Sequence, residues 1–478
     1  MEWLVAVLQS GFASLFSYLA AHVLLCLVPA FFIAGAMSAL IPQQSIIRYL
    51  GPDAPRWVSY SAAAGAGSLL AVCSCTVQPL FAGIYKKGAG LGPAITFLFF
   101  APAANILALS YTGVALGADF AIARITLALS FGIGIGMIMA AIFRKEEAAR
   151  VADARVFAGG ESIPGRTWAF VGVLVALLIA GTLKVAWLQA GLLSVTIPWP
   201  GAAALQATLD LWVPANTATG AEGLSLQGAL LVGLLAVIGG VAWKGLGKVD
   251  VAMTRATGVT LVLIVLTLWL ASLSVRVEAA GLLLTVTGRT LAVAALCAVL
   301  LPLARRFEAW ELQQWLWETW RFVKMIFPLL VAGVFVVGVV RLFIEPEWVR
   351  LVAGSNTVLA NLAGVVFGVF MYFPTLVEVP VAKMFLQLGM HPGPLIAYLM
   401  ADPELSLQSI LITAAIIGKR RAWTYVGLVA LFATLAGLAF GAWVDGTPLP
   451  LLVAGVLGLV GLIVAGLHLL ERRDATAT

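Results

Sequence analysis

The sequence predicts an all-α, polytopic membrane protein. We expect about 11 full spans and two inverted-topology repeats, each containing a re-entrant, broken-helix hairpin. Of the 478 residues, 62% are hydrophobic and only 10% are charged, whereas soluble domains carry about 25% charged residues. Apolar stretches of about 18 residues or more recur from end to end, and each can cross a bilayer as a helix. Together these observations exclude a soluble domain.

The loop charges predict the orientation of the chain in the membrane. The net charge is +6, and in a membrane protein such an excess reports Lys and Arg retained on the cytoplasmic side rather than nucleic-acid binding. Placing most basic loops inside puts the N-terminus outside. The four cysteines lie in apolar stretches, so no secreted disulfide framework is expected. The N-terminus lacks a basic region ahead of its apolar segment, so we expect no cleavable signal peptide.

The full spans follow in chain order. They are predicted near residues 11–41, 93–111, 120–143, 167–190, 226–243, 256–275, 280–303, 324–344, 394–416, 422–444 and 449–471. Residues 144–166 form the first clearly hydrophilic loop, and residues 191–225 form a long, nearly uncharged connection. Residues 306–323 carry four Trp in an amphipathic pattern, which is typical of an interfacial helix.

A polar interruption ends the apolar run 58–72. The residues are Cys73-Ser74-Cys75-Thr76, with Gln78 and Pro79 close behind and a half-length helix expected over 77–85. Proline lacks the N–H that a helix interior needs, so the backbone is expected to break here. Irregular backbone at membrane depth is tolerated only where it lines a cavity. Ser74, Thr76 and Gln78 are therefore predicted to line a substrate pathway.

An internal repeat relates the two halves of the chain. A shift of 301 residues aligns Pro79 with Pro380, Gly88 with Gly389, Gly92 with Gly393, Pro93 with Pro394 and Pro102 with Pro403. The second copy, over 355–390, also contains a break at Pro374-Thr375. Backbone breaks are predicted at Pro79, Pro102, Pro374, Pro380 and Pro403. The loop charges make the two hairpins enter from opposite faces, with broken tips meeting near the midplane. The alternative is that one hairpin crosses the membrane fully, which would remove the inversion.

These features divide the chain into four segments. Residues 1–143 form the first repeat with the Cys-Ser-Cys hairpin. Residues 144–323 form a middle segment of four spans, cytoplasmic loops and the interfacial Trp-rich helix. Residues 324–448 form the second repeat with its acidic hairpin, and residues 449–478 form the last span and a cytoplasmic tail.

Cys73 and Cys75 are candidate ligands of a transported species. Thiolates bind soft ions such as Cu(I), Zn(II) or trivalent arsenic, and two thiols on non-helical backbone can converge on one centre. The alternative is that both are small buried hydrophobes. No His or further Cys lies nearby in sequence, so a closed structural zinc site is not expected. Cys26 and Cys297 lack this context and are interpreted as packing residues.

Glu378, Lys383, Asp402 and Glu404 are candidates for ion or proton coupling. Each charge at membrane depth costs roughly 2.5–3.5 kcal/mol on insertion scales and usually faces a cavity or a partner. The alternative is structural pairing of Lys383 with Glu378 or Asp402. Arg124 is expected to snorkel from the end of its span. Asn105 is predicted either to line the site or to cap the break, and Thr375 completes the residues predicted to line the site.

The first hairpin resembles a known family. The run Cys73-Ser-Cys-Thr-Val-Gln-Pro-Leu-Phe-Ala-Gly-Ile-Tyr-Lys-Lys-Gly-Ala-Gly-Leu-Gly-Pro-Ala94, continuing to Asn105, is similar to the ArsP-type predicted permeases. That prokaryotic group includes efflux permeases for trivalent organoarsenicals. The second copy, from Phe373 to Pro394 and at Asp402-Pro403, looks like the family's second motif. The resemblance implies an inner-membrane transporter whose Cys73 and Cys75 coordinate a soft element. The acidic second repeat and the larger middle segment depart from the family's pattern.

The function expected from the sequence is therefore a multi-pass inner-membrane secondary permease, not an enzyme. It would export a soft metal, a metalloid species such as a trivalent arsenical, or another small thiophilic solute, coupled to protons or a cation. No Walker A motif is present, so ATP drive within the chain is not expected. No cofactor and no nucleic-acid partner are expected. The expected partners are the lipid bilayer and the small solute or metalloid ion, and a homo-oligomer is left open.

A second function class stays open. In it, Cys73 and Cys75 cycle between dithiol and disulfide in a membrane redox protein with a thioredoxin-like partner. A purely structural subunit of a membrane complex is the third, and the carboxylates at membrane depth argue against it.

Overall fold

The protein is nearly all helical. A computed structural model describes residues 2–41, 43–51, 54–69, 74–155, 164–182, 186–216, 221–278, 281–341, 346–370 and 375–448, together with residues 450, 452, 455 and 458. Cys73, Pro374 and most of the predicted last span and tail, residues 449–478, lie outside the described residues.

Helices of the first half begin with α1 and a π-helical stretch. Their bounds are α1 Glu2–Tyr18, the π-helix Leu19–Leu27, α2 Val28–Ala39, α3 Gln43–Leu50, α4 Arg56–Leu69, α5 Ser74–Lys86, α6 Leu91–Ala103, α7 Ile106–Ala115, α8 Ala118–Ile142, α9 Arg144–Arg155, α10 Gly165–Thr182, α11 Ala186–Gln189, α12 Ala202–Trp212 and α13 Leu226–Gly245.

Helices of the second half follow from α14. Their bounds are α14 Arg255–Ser272, α15 Gly288–Ala304, α16 Ala309–Arg341, α17 Pro346–Ala353, α18 Val358–Phe370, α19 Thr375–Gln387, α20 Pro392–Leu405, α21 Leu407–Ile417 and α22 Lys419–Val444.

Six of the described helices are long and apolar enough to cross a membrane, or seven if the bent pair α20–α21 counts as one span. They are α8, α10, α13, α14, most of α16, and α22. The polytopic membrane class is thus confirmed. The count of about 11 spans and the inverted orientation of the repeats stay predictions.

A small sheet is the first departure from the all-α expectation. Strands β1 Gly191–Ile197, β4 Ser274–Glu278 and β5 Gly281–Thr287 form an antiparallel sheet in the order β1-β5-β4, and β2 Ala215–Asn216 pairs with β3 Ala221–Glu222. The β4–β5 hairpin occupies residues that were assigned to the ends of two predicted spans. Its alternating and β-branched residues favour strands over helix.

The Trp-rich segment is the second departure. Residues 306–323 do not form a separate interfacial helix, because α16 runs without a break from Ala309 to Arg341. Trp315 and Trp320 are buried, and the Trp315 indole N–H donates to the backbone oxygen of Phe32 at 2.9 Å. Internal packing therefore holds two of the Trp residues that the pattern assigned to the membrane surface.

Two of the predicted proline breaks, at Pro79 and Pro380, are the third departure. Pro79 lies inside α5 and Pro380 inside α19, so neither interrupts its helix. Pro102 and Pro403 lie inside α6 and α20, and each of these helices ends within two residues of its proline. The second helix end produces a 47° bend between α20 and α21. The backbone therefore breaks just after these two prolines.

The 301-residue offset recurs in the structure. Helices α5, α6, α7 and α8 begin at Ser74, Leu91, Ile106 and Ala118, and α19, α20, α21 and α22 begin at positions 301 residues later. Gly88 and Gly389 both have positive φ, as do Gly117 and Gly418, a conformation that glycine adopts without strain. The two copies thus share their helix starts and their turns.

The described contacts divide the chain into two compact units. Unit 1 comprises Met1–Pro42, Cys75–Ile84 and Glu161–Leu342, and unit 2 comprises Gln43–Ser74, Tyr85–Gly160 and Phe343–Thr478. In unit 1, α2 packs along α16, where the Ser38 hydroxyl donates to the Glu318 carboxylate at 3.1 Å. In unit 2, α6 packs between α4 and α8, and α20 packs in the same way between α18 and α22.

Candidate functional site

The thiol motif lies at the start of α5. Ser74 is the first residue of this helix and Cys75 is in its first turn, so the non-helical backbone expected at Ser74–Thr76 is wrong. Cys73 falls in the undescribed stretch between α4 and α5, and the side chains of Ser74 and Cys75 are likewise not described. Within the described residues, the motif from Ser74 onward is therefore helical.

Thr76 and Gln78 are buried, as expected for residues that line an internal path. The Thr76 hydroxyl and the Cys26 thiol lie within hydrogen-bond distance inside unit 1. Cys26 belongs to the π-helix Leu19–Leu27, and π-helical turns are frequent at functional sites. Sequence reasoning treated Cys26 as a packing residue because its neighbours in sequence include no polar, proline-terminated interruption. The structure instead brings this thiol next to the residue that follows Cys75.

Asn105 caps the helix that follows the first break. It is buried, and its side-chain oxygen accepts from the Ala108 N–H at 2.9 Å, which satisfies a donor at the start of α7. Ser406, which is 301 residues later, accepts from the Ser409 N–H at 3.3 Å at the start of α21. Both broken helices thus restart from a side-chain cap in the same position.

Arg124 forms a buried ion pair with Glu378, and the expectation that Arg124 snorkels is wrong. Its side chain is 0% exposed. One guanidinium nitrogen, Nη2, donates to both Glu378 oxygens at 3.0 Å. Nε donates to the backbone oxygen of Ala103 at 2.7 Å, and Nη1 donates to the Thr112 hydroxyl at 3.2 Å. This one side chain therefore joins α8 to α19 and to both halves of the broken helix α6–α7.

Glu404 occupies the position in the second copy that Ala103 occupies in the first. It is 3% exposed, and one carboxyl oxygen accepts from the Tyr425 hydroxyl at 2.7 Å. Its other oxygen, Oε1, is buried and has no hydrogen-bond partner in the described part of the chain. Glu404 lies 301 residues after Ala103, and Tyr425 lies 301 residues after Arg124. The same two positions thus meet in both copies with different chemistry.

The remaining coupling candidates lie in different surroundings. Asp402 is fully buried on α20, and α18 approaches it at Gly368, where an added methyl group would lie 2.8 Å from the Asp402 backbone nitrogen. Lys383 is exposed, and Glu378 pairs with Arg124, so the alternative pairing of Lys383 with Glu378 is wrong. Thr375 is the first residue of α19, and its side chain is not described.

Sequence reasoning missed three residues of this region. Arg124 was assigned to the membrane surface, while Tyr425 and Gln408 were not singled out. Gln408 lies in the first turn of α21 and is 1% exposed, and neither polar atom of its side chain has a partner among the described residues. A glutamine one turn after a predicted helix break was the available signal. Tyr425 could have been found by shifting Arg124 by 301 residues.

A second polar network, centred on Glu147, lies at the N-terminal end of α6 in unit 2. Glu147 is 5% exposed and accepts from the Tyr85 hydroxyl at 2.8 Å and from the Leu91 N–H at 3.2 Å. Arg150 and Arg421 both bind the same carboxylate at 2.9 Å. Glu147 thus caps the N-terminus of α6, where a negative charge is favoured, and joins α9 to α22.

The corresponding end of the second copy is capped by a histidine instead of a glutamate. His391 is the residue just before α20, and its Nδ1 accepts from the Gly393 N–H at 3.1 Å. Its Nε2 lies 3.0 Å from the Asp445 carboxylate. His391 is therefore the N-terminal cap of α20. Among the described residues, no three His, Cys, Asp or Glu side chains are grouped to hold a metal ion.

Comparisons with known proteins place the chain among predicted permeases. The family model ArsP_1, described as predicted permease, matches residues 9–192 and 230–442. The UPF0718 protein MJ0584 of Methanocaldococcus jannaschii is 31% identical over 444 residues, which cover 92% of this chain and 98% of that protein. The UPF0718 protein YraQ of Escherichia coli is 25% identical over 124 residues, or 26% of this chain and 35% of that protein. No solved structure matches the chain.

Proposed function

The chain belongs to the ArsP_1 family of predicted permeases and is a membrane transporter rather than an enzyme, and from this premise we propose that it is an inner-membrane secondary permease. Its substrate is a soft metal or metalloid species, such as a trivalent arsenical, or another small thiophilic solute. The direction is efflux, and the driving ion is a proton or a cation. The observation that carries the proposal is the burial of Glu378, Asp402 and Glu404 beside the interrupted helices of unit 2.

Buried carboxyl groups at this depth argue for a transport role. Ionisable side chains inside membrane proteins are costly and usually mark substrate or proton pathways. Two interrupted helices with matching caps, at Asn105 and Ser406, are the arrangement in which transporters bind substrate and coupling ion near the midplane. The recurring helix starts and turns support the further proposal that the two copies are an inverted-topology pair.

Cys73 and Cys75 are the proposed ligands of the transported species. They flank the first residue of α5, and Thr76 and Gln78 are buried on the following turn. Thiolates are the preferred ligands of soft elements. Asn105 and Thr375 belong to the same proposed binding set with Ser74.

Growth and flux assays test this proposal. The chain is expressed in a bacterial host that lacks arsenical efflux, and resistance to arsenite and to methylarsonous acid is measured. Cys73→Ser and Cys75→Ser should each abolish resistance, whereas Cys297→Ser, a change on α15, should leave it intact. Proteoliposomes should accumulate methylarsonous acid when a proton gradient is imposed.

Two results would contradict the proposal. One is unchanged resistance and flux in the double cysteine variant. The other is an absence of flux combined with capture of a thioredoxin-like protein on a cysteine variant as a mixed disulfide, which would support the membrane redox alternative instead.

A further inference from the structure

We propose that Glu404 holds an exchangeable proton in unit 2, hydrogen-bonded to Tyr425, while Glu378 stays ionised as the fixed partner of Arg124. This inference rests on the proposed function in one respect: it names the coupling ion as a proton and its carrier as Glu404. Lys383, Asp402 and Glu378 are thereby distinguished from the residue that releases and rebinds the proton.

Glu378 is held in its ionised form by geometry. Both of its oxygens accept from the Arg124 Nη2 at 3.0 Å. The other two guanidinium nitrogens donate to Ala103 and Thr112, so Arg124 is held in place by partners on three helices. Protonation of Glu378 would leave a buried guanidinium without a counter-ion, which is strongly unfavourable. This carboxylate is therefore a poor site for reversible proton binding.

Glu404 has no such cation. It is 3% exposed, and no ion pair to it occurs within the described residues, where its contact is the Tyr425 hydroxyl. An ionised carboxylate that is buried without a cation costs far more free energy than the neutral acid. The neutral acid keeps Oε2 as the acceptor of the Tyr425 hydroxyl and carries its proton on Oε1, the oxygen that has no other partner in the described region.

The surroundings of Glu404 contain few charges. Tyr425 faces it from α22, and the charge of Glu378 on α19 also acts on it, although Arg124 of α8 compensates that charge. Asp402 lies two residues earlier on the same helix. The helices α6, α18 and α21 contribute no titratable side chain to this part of unit 2. Among the described residues, no cation contacts Glu404 to keep its carboxylate ionised while the site is closed to water.

The repeat explains why the two acids differ. In the first copy, Arg124 donates to the backbone oxygen of Ala103 at the end of α6 and also forms an ion pair with Glu378. In the second copy, the matching residues are Tyr425 and Glu404, so a phenol replaces the guanidinium and a carboxyl side chain replaces the backbone acceptor. The change from Arg to Tyr removes the cation that would otherwise fix the charge.

The proton step is simple to balance. When the site opens to water, the Glu404 acid gives its Oε1 proton to a water molecule and becomes a carboxylate. The Tyr425 O–H bond stays intact and continues to donate to Oε2, which stabilises the anion. Proton uptake from water on the other side of the membrane restores the neutral acid. Tyr425 is thus a positioning residue for the proton carrier.

Infrared spectroscopy of the full-length protein in lipid nanodiscs tests the assignment without any substrate. Wild type at neutral pH should show the carbonyl stretch of a buried carboxylic acid, and this band should shift in D₂O because the proton exchanges. Glu404→Gln should remove the Glu404 band. Glu378→Gln should retain it, as should Glu347→Gln, a change of an exposed carboxylate on α17.

The assignment is overturned if the wild-type minus Glu404→Gln spectrum shows no acid band, or shows one that does not shift in D₂O. If Glu404→Gln fails to fold, Tyr425→Phe provides the second readout. Loss of the hydrogen bond should move the Glu404 band to higher frequency, and an unmoved band would overturn the Glu404–Tyr425 assignment.

Failure of this inference can be told apart from failure of the proposed function. Unchanged arsenical resistance in the Cys73→Ser and Cys75→Ser variants would refute the substrate and leave the infrared band unaffected. An absent band together with intact, cysteine-dependent transport would refute Glu404 as the proton carrier alone. Proton-driven uptake of methylarsonous acid should be lost in Glu404→Gln and slowed in Tyr425→Phe.

Discussion

Phe131 and Phe432 lie 301 residues apart in the sequence, and their rings pack against each other with centroids 5.0 Å apart. A residue that contacts its own counterpart is expected where two matching elements are related by a two-fold axis. The long helices α8 and α22 thus meet through equivalent positions within unit 2. This contact supports the proposal that the two copies form an inverted pair.

The aromatic contact predicts energetic coupling between the copies. Phe131→Leu and Phe432→Leu should each destabilise the protein, and the double variant should be less destabilised than the sum by about 0.5–1.5 kcal/mol. A denaturant titration in detergent measures the free energy of unfolding of the wild type, of each single variant and of the double variant. Phe170 lies in unit 1 against Phe307, so Phe131→Leu combined with Phe170→Leu is the control and should be additive. Additivity of the Phe131–Phe432 pair would contradict this contact.

The buried ion pair predicts that removing one partner destabilises the protein more than removing both partners. Glu378→Gln leaves Arg124 buried without a counter-ion and should cost about 3–5 kcal/mol, because an uncompensated buried charge is strongly destabilising. Arg124→Gln combined with Glu378→Gln should recover part of the loss. Thermal stability in detergent is the measurement. A double variant that is less stable than both single variants would contradict the ion pair as described.

The helix crossings predict position-specific effects of alanine on α22. A methyl group on Gly437 would lie 2.6 Å from the Gly393 backbone oxygen, whereas one on Gly427 would meet nothing within 4 Å. Gly437→Ala should therefore lower the melting temperature and the yield of folded protein, and Gly427→Ala on the same helix should not. The first copy offers the same comparison with Gly136→Ala and Gly134→Ala. Equal stability within either pair would show that the crossing is looser than described.

The polar network around Glu147 predicts different effects for neighbouring glutamates. Glu147 is nearly buried and binds two guanidinium groups, whereas the Glu146 side chain is 46% exposed. Glu147→Gln should destabilise by about 1–3 kcal/mol because it leaves two partly buried guanidinium groups without their carboxylate partner. Glu146→Gln should cost at most about 1 kcal/mol, as exposed ion pairs do. The free energy of unfolding of both variants is measured under the same conditions. Equal losses of stability would contradict the prediction that Glu147 contributes more than Glu146.

The sequence alone determined the class of this protein. Its long apolar stretches and few charges indicated a membrane protein, because an apolar stretch of about 18 residues or more can cross a bilayer as a helix that satisfies its own backbone hydrogen bonds. The Gly and Pro positions also revealed the 301-residue offset, since these residues constrain the backbone locally and leave a trace in the sequence. The helix starts and positive-φ turns of the structure recur at that offset.

The tertiary structure decided which side chains meet. Arg124 and Glu378 are 254 residues apart, and no local rule could choose Arg124 over Lys383 as the partner of Glu378. Propensity also misplaced the breaks, because packing keeps Pro79 and Pro380 inside helices that the local pattern ends. Charge pairing depends on which helix faces pack together. That information is spread over the whole chain. The charged residues of the site could therefore be named from the sequence, but the partner of each one could not.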